Sequence, residues 1–339
     1  METRKIQKTG GSSYIVSLPK TWAEKNGIRE QARVGIITRP DNTLVIVPHI
    51  DQQQDPREKV FDADAIGKGN LLFRMLVGAY IMGFNTIKIV SKSRLDAQVK
   101  TTARQFIDKA IGIQIIEETP SLITIKELLD PAQMQFKTWI ERMSSLVISR
   151  LEDALHALAE KDAKTAKDVI ARDVEINRLH WILSRQHNLL MRNLVFSERL
   201  DPKEWRNSNY SLISRRMERI GDYAVRISEN VLRIIDKKID ENLVESIVAA
   251  GKLAISIFKR SVDELYDGTI DEANQVIESV RELIKKCESI EEQVIEQETA
   301  VGVALGYINE AIRRTGEVAT DLAEYIINFL IDQPPKENR

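Results

Sequence analysis

The sequence predicts a mainly α-helical protein in which a small β-rich domain and a small α/β module precede two tandem three-helix bundles. Two observations support this. First, the pattern of residues 215–231 recurs at 312–326, with Gly221 aligned to Gly316, 95 residues further on. Second, apolar residues from 131 onward recur in steps of three and four, which is typical of helices that bury one stripe. A repeated stripe indicates two similar bundles.

The predicted domains follow from composition shifts and turn signals, and the length of 339 residues suits two or three domains. The domains are predicted at residues 1–50, 60–130, 131–236 and 237–332. The bundle helices are predicted at 132–160, 163–194, 208–236, 241–267, 270–297 and 302–331. The stripe of the third helix in the first bundle consists of Ile213, Met217, Ile220, Ala224, Ile227, Val231 and Ile234. Its equivalents are Ile308, Ile312, Thr315, Ala319, Leu322, Ile326 and Phe329, of which only Thr315 is polar.

Charge is uneven along the chain. The net charge is only −2, but residues 1–50 hold eight basic and four acidic residues. Any nucleic-acid surface is therefore expected at the N-terminus.

The sequence favours a cytoplasmic protein without membrane insertion. The first residues lack the apolar segment of a signal peptide, and the most apolar run, residues 71–84, is too short to span a bilayer. Cys287 is the only cysteine, so no intramolecular disulfide can form, and we expect a buried, inert thiol.

The first fifty residues predict four short strands and one short helix. Strands are expected at 4–8 and 12–19, a helix at 20–26 ended by Gly27, and a hairpin from 34–38 and 44–47. Since so few residues cannot enclose much core, this unit is expected to form a dimer.

This order, with Leu18-Pro19 before the helix and Asn26-Gly27-Ile28 after it, resembles the AbrB/SpoVT swapped-hairpin DNA-binding domain. The resemblance implies a homodimer of interleaved hairpins whose first strand, Gly-rich turn and short helix face DNA. The DNA-binding residues that it implies are Arg4, Lys5, Lys8, Ser12, Ser13, Lys20 and Lys25. The alternative is that these side chains form only the solvated face of a small β unit, since Ala23-Glu24 stands where the family often has two arginines.

Residues 60–130 read as a small α/β module. Helices are predicted at 72–82 and 96–110, and strands at 86–90, 113–116 and 122–125. Because 67–69 lacks the spacing of a phosphate-binding loop, we expect a spacer or sensing module.

The segment 166–173 (Ala-x-x-Val-Ile-x-x-Asp), followed by Asn177 and by Glu-Arg-Ile-Gly-Asp at 218–222, resembles the PhoU family of phosphate-uptake regulators. The match covers 131–332 as tandem bundles, and the whole layout resembles the archaeal members. The resemblance implies divalent or iron-type metal ions on the bundle surface, bound by acidic pairs. The ligands that it implies are Asp173, Asn177, Glu218, Asp222 and Glu317.

Side-chain chemistry allows this site and an alternative. Glu218 and Asp222 lie one helical turn apart, away from the core, and their oxygens suit hard cations. Alternatively, Asp222 forms an ordinary helical ion pair with Arg226.

In the second bundle Arg313 stands at the position of Glu218. On the middle helix of the second bundle, the residues that correspond to Asp173 and Asn177 are either Val280 and Ile284 or, with a two-turn insertion, Glu288 and Glu292.

No pairing of nucleophile and base, zinc spacing or nucleotide loop is found, and His156, His180 and His187 are not spaced as metal ligands. An enzyme is therefore not expected. The leading hypothesis is a dimeric, DNA-binding regulator of phosphate uptake whose helical body senses or relays phosphate status. The competing hypothesis is an adaptor that docks a phosphate transporter or sensor kinase and uses the N-terminal domain only to dimerise.

Overall fold

A computed structural model describes residues 2–11, 13–39, 42–48, 57–66, 70–130, 135–192 and 210–331. It divides into two compact units, Met1–Arg57 and Glu58–Arg339. The predicted linker at 51–56, the turn segment at 197–209 and the tail beyond 332 lie outside the described residues.

The first unit consists of two hairpins and a short helix. β1 (Gln7–Thr9) pairs antiparallel with β2 (Ser13–Ile15), α1 spans Lys20–Lys25, and β3 (Gly35–Thr38) pairs antiparallel with β4 (Leu44–Val47). The first turn needs glycine because Gly10 and Gly11 both adopt positive φ, 61° and 83°. β1 begins at Gln7, so the prediction of a strand from residue 4 is wrong. The ladder ends at the pair Gln7–Ile15, so Arg4 and Lys5 lie outside the paired strand.

The second unit opens with the α/β module. Its elements are β5 (Glu58–Asp62), α2 (Leu71–Ile81), β6 (Thr86–Val90), α3 (Ala97–Lys109), β7 (Ile113–Glu118) and β8 (Leu122–Glu127). The sheet order is β5-β6-β8-β7, with β5 parallel to β6 and the other neighbours antiparallel. The sequence did not predict β5, because this edge strand is rich in charge and buries only Phe61.

The helical body follows. The first bundle contains α4 (Phe136–Ala159), α5 (Ala163–Ala171), α6 (Val174–Arg192) and α7 (Tyr210–Ile234). The second contains α8 (Glu241–Asp267), α9 (Ile270–Ile295) and α10 (Thr299–Ile331). The prediction of a single helix at 163–194 is wrong, because Arg172 and Asp173 interrupt the helix and separate α5 from α6. The equivalent α9 is continuous.

The predicted stripe forms the core. All seven of its residues on α7 are buried, and six of the seven equivalents on α10 are buried, with Phe329 partly exposed. The one polar member, Thr315, satisfies its hydroxyl by donating to the carbonyl oxygen of Ala311 at 2.9 Å. α7 packs against α10 and α4 against α8, which joins the bundles. No helix in the described ranges has the length of apolar sequence that crossing a membrane requires.

Candidate functional site

Three carboxylates of the first bundle lie near enough to one another to interact electrostatically. Glu218 and Asp222 lie on α7, and Asp173 lies at the break between α5 and α6. Burial is the largest cause that raises the pKa of Glu218, and the negative charges of Asp222 and Asp173 raise it further. The pKa of Asp222 is raised by burial and then by Asp173. The acids therefore share one electrostatic environment, and the Glu218 side chain, only 13% exposed, is less solvated than predicted.

A glycine brings the elements together. Gly221 lies on α7 between the two acids, and a Cβ atom there would lie 2.8 Å from Cδ1 of the buried Ile176 on α6. The missing side chain lets the beginning of α6 approach α7 closely. This approach places Asp173, three residues before Ile176, beside the acidic pair of α7.

Arg150 is the residue that sequence reasoning missed. Its side chain is 1% exposed, and its Nη1 donates to Asp173 Oδ1 at 3.3 Å. Nη2 donates to the backbone carbonyl of Arg172, the C-cap residue that follows α5, and lies 4.0 Å from Glu175. A signal was available in the sequence, because Arg150 interrupts the apolar stripe of α4 between Val147 and Leu151.

Asp173 is engaged from a second side. Asn177 Nδ2 donates to Asp173 Oδ2 at 2.7 Å and to its backbone carbonyl at 3.2 Å. Both carboxylate oxygens of Asp173 thus accept hydrogen bonds from the protein, and the Asn177 amide presents its donor, not its oxygen, to this acid. A metal ion bound by Asp173 and Asn177 would have to replace these contacts.

The neighbouring charges are also paired. Arg172 lies 2.6 Å from Asp153 and 2.7 Å from Asp168, and Arg215 lies 3.3 Å from Glu218. The alternative pair of Asp222 with Arg226 does not form within the described residues, where Arg226 lies over the ring of Tyr307.

The donor set does not fit a preformed metal cage. In the part of the chain that the structure describes, no group of three or more His, Cys, Asp or Glu side chains is arranged to hold a metal ion. The metal site drawn from Asp173, Asn177, Glu218 and Asp222 stays a prediction, and the contacts of Arg150 argue against it.

The second bundle resolves an ambiguity of the sequence. Gly316 there makes the contact that Gly221 makes in the first bundle, and its neighbours are Leu283 and Val280 of α9. Leu283 thus matches Ile176, so Val280 and Ile284 occupy the positions of Asp173 and Asn177. This agrees with the first of the two predicted alignments.

The predicted ligand Glu317 lies among arginines. It accepts from Arg313 Nε at 3.1 Å and from Arg314 Nη1 at 2.8 Å. Arg313, at the position of Glu218, also lies 3.9 Å from Glu291. The second bundle thus does not repeat the acidic cluster.

The predicted DNA-binding side chains of the first unit are exposed wherever they are described, and Ser12 lies outside the described residues. Arg4 pairs with Glu2, and Lys20 lies 3.8 Å from Glu24. Lys5, Lys8 and Lys25 have no carboxylate within ion-pair distance among the described residues.

His180 belongs to the packing between α6 and α7. Its Nδ1 lies 3.0 Å from Ser214 Oγ, and burial, followed by the charge of Arg215, lowers its pKa to about 4. The imidazole is therefore neutral at neutral pH, as suits a buried core histidine.

Comparisons with known proteins identify two regions. Residues 140–231 match the family model described as the PhoU domain, and residues 7–54 match the one described as antidote-toxin recognition MazE, bacterial antitoxin. The predicted PhoU-like and AbrB-like resemblances are thereby confirmed, whereas the resemblance to archaeal members stays a prediction.

Curated relatives match over part of their length. A phosphate-specific transport system accessory protein PhoU homolog of Caulobacter vibrioides is 34% identical over 91 residues, which is 26% of this chain and 36% of that protein. A homolog of the same description from Clostridium acetobutylicum is 26% identical over 136 residues, 40% of this chain and 60% of that protein. An uncharacterized protein of Methanocaldococcus jannaschii is 22% identical over 205 residues, 59% of this chain and 67% of that protein.

Solved structures share the helical fold. The phosphate transport system regulatory protein PhoU of Streptococcus pneumoniae aligns with a TM-score of 0.50 at 18% identity, over 58% of this chain and 94% of that one. PhoU of Pseudomonas aeruginosa aligns with a TM-score of 0.52 at 18% identity, over 58% and 96%.

Proposed function

We propose that this chain is a regulator of phosphate uptake that binds DNA through its N-terminal unit and senses or relays phosphate status through its helical body. The observation that carries the proposal is the presence of a MazE-like segment and a PhoU domain in one chain. The proposed role in phosphate uptake rests on relatives that are named for phosphate transport. The proposed binding of DNA rests on the MazE-like N-terminal segment.

Dimerisation of the N-terminal unit is part of the proposal. None of the described residues of Met1–Arg57 is buried. The large apolar side chains that this unit leaves exposed are Ile6, Tyr14, Ile15, Val16, Ile36 and Leu44. Hairpins with apolar faces and no core of their own gain stability when a second copy covers them. We therefore propose a homodimer through residues 1–50, as the swapped-hairpin resemblance implies.

Electrostatics support DNA as the partner of this unit. Lys5, Lys8 and Lys25 are exposed without a described carboxylate partner, so their charge remains available to phosphate groups. Contacts of this kind give salt-dependent affinity, while base-edge contacts are needed for sequence specificity. A dimer presents two copies of these basic groups to DNA. A partner or ligand of the helical body would regulate DNA binding by changing the distance between the two N-terminal units.

A gel shift with the full chain and promoter DNA of phosphate-transport genes, at about 50 and 200 mM salt, tests the proposal. Binding should weaken by at least tenfold between the two conditions if several phosphates are contacted. Alanine at Lys5, Lys8 and Lys25 together should abolish the shift while sedimentation still reports a dimer. Alanine at Lys252, Lys259 and Lys285, exposed on α8 and α9, is the matched control and should leave the shift unchanged.

A second candidate function is an adaptor that docks a phosphate transporter or sensor protein. The Lys20–Glu24 pair favours it, because it reduces the positive charge of α1, and so does the description of the curated relatives as accessory proteins. Absence of any shift at either salt concentration, with the dimer intact, would remove DNA binding and leave the adaptor.

A further inference from the structure

The acidic cluster of the first bundle contains a buried cation that belongs to the chain itself. Arg150 is 1% exposed, whereas Asp173 is 33% exposed, so the guanidinium lies beneath the carboxylate and faces it from the core. Two donors of one side chain satisfy two groups at the break, the carbonyl of Arg172 and the carboxylate of Asp173. The break between α5 and α6 is therefore held by Arg150.

The second bundle provides an internal comparison. The helix cap Asp162 of α5 corresponds to the cap Thr269 of α9, 107 residues later. With the same offset, the contact of Arg172 with Asp153 at 2.6 Å corresponds to that of Arg260 with Ser279 at 3.1 Å. The two bundles thus align in register from the end of the first helix into the second.

In this alignment both members of the ion pair between Arg150 and Asp173 are replaced by apolar residues in the second bundle. Arg150 corresponds to Ile257 and Asp173 to Val280, which are 1% and 4% exposed. α9 runs without interruption where α5 and α6 are separated. The bundle fold therefore requires neither charge, and the charged pair and the helix break occur together.

We propose that the guanidinium of Arg150 is the resident cation of this cluster and takes the place that a metal ion would fill. It supplies positive charge to Asp173 and fixes this residue beside Glu218 and Asp222. The proposal goes beyond phosphate regulation and does not depend on DNA binding.

Electrostatics argue against a second cation at Asp173. Charges buried from water interact strongly, and a guanidinium within hydrogen-bond distance of Asp173 repels an approaching divalent ion. Displacing Arg150 would leave a fully buried guanidinium without its carboxylate, which is costly. Arginine also suits the position because its planar group carries several donors in fixed directions, whereas the ammonium of lysine is a compact point charge.

Thermal unfolding of the full chain, with EDTA, MgCl₂ or MnCl₂, tests the proposal together with elemental analysis. The wild type should purify without stoichiometric metal, and its midpoint should move by less than about 1 °C between conditions. Arg150→Met should lower the midpoint by about 5–10 °C, because Asp173 loses its cation. Mn²⁺ should raise the midpoint of Arg150→Met and leave the wild type unchanged.

Two further variants keep the test decisive if Arg150→Met does not fold. The double variant Arg150→Ile/Asp173→Val copies Ile257 and Val280 and should recover most of the lost midpoint, because both charges are removed together. Arg172→Met is the matched control, because this guanidinium is a third exposed, and it should lower the midpoint by no more than about 2 °C. Stoichiometric metal in the wild type, a midpoint lowered by EDTA, or a double variant less stable than Arg150→Met would overturn the proposal.

Discussion

The guanidinium of Arg185 on α6 and the carboxylate of Glu127 at the end of β8 form a buried ion pair that ties the α/β module to the first bundle. Arg185 Nη2 lies 2.8 Å from Glu127 Oε2, and Nε donates to Oε1 at 2.9 Å. Nη1 donates to the backbone carbonyl of Phe84 at 3.1 Å and to that of Tyr80. Since the side chains are 0% and 10% exposed, the module and the bundle share this contact away from solvent.

Arg185→Met should lower the free energy of unfolding by about 3–5 kcal/mol, because it removes the cation from a buried carboxylate and one hydrogen-bond donor from each of two backbone carbonyls. Urea denaturation measures the change. The matched control is Lys100→Met, which breaks the partly exposed pair with Glu118 and should cost less than about 1 kcal/mol. Equal losses in the two variants would contradict a special role for Arg185.

Gly221→Ala should destabilise the first bundle by about 1 kcal/mol. The new Cβ atom would lie 2.8 Å from Ile176 Cδ1 in a packed core, and overpacking outweighs the gain in helix propensity. Gly78→Ala on α2 is the control, because no heavy atom lies within 4 Å of its added Cβ atom, and it should stabilise by about 0.5–1 kcal/mol. If thermal melts shift the midpoints of both variants in the same direction, the close approach of α6 to α7 at Gly221 would be refuted.

Acidification should destabilise the chain through His180. Its folded pKa is about 4 and its ordinary value is 6.5, so the unfolded state takes up a proton first as pH falls. Stability from this residue is complete above pH 6.5 and is lost between pH 6.5 and 4, up to about 3 kcal/mol. His180→Gln should remove this part of the pH dependence in urea titrations at pH 7 and 5. An NMR titration that finds an imidazole pKa near 6.5 would refute this prediction.

Glu218→Gln should stabilise the chain at pH 7. Burial, Asp222 and Asp173 raise the pKa of Glu218, so its charged form is disfavoured in the folded state. The free energy of unfolding should rise by on the order of 0.5 kcal/mol, because the lost ion pair with the exposed Arg215 contributes little stability. This gain should shrink as pH falls below the raised pKa, where Glu218 is already neutral. Paired melts of variant and wild type at pH 7 and 4 test the sign, and a loss at pH 7 would contradict it.

The sequence by itself determined the helical body. Apolar steps of three and four residues are local properties of one helix, so the stripe on α7, its copy on α10 and the alignment of Gly221 with Gly316 could all be read without coordinates. The bounds of α8, from residue 241 to 267, were also predicted, because turn residues flank them.

Only the tertiary structure decided which charged groups meet. Arg150 and Asp173 are 23 residues apart, and Arg185 and Glu127 are 58 residues apart. No periodicity links such distant positions, so neither pair was predicted. The acidic pair of α7 could be found as a motif, but the buried cation that binds Asp173, the helix break at that residue and the apolar replacements in the second bundle depend on which helices pack together. That packing brings distant side chains into one low-dielectric environment, where the guanidinium of Arg150 supplies the positive charge beside Asp173.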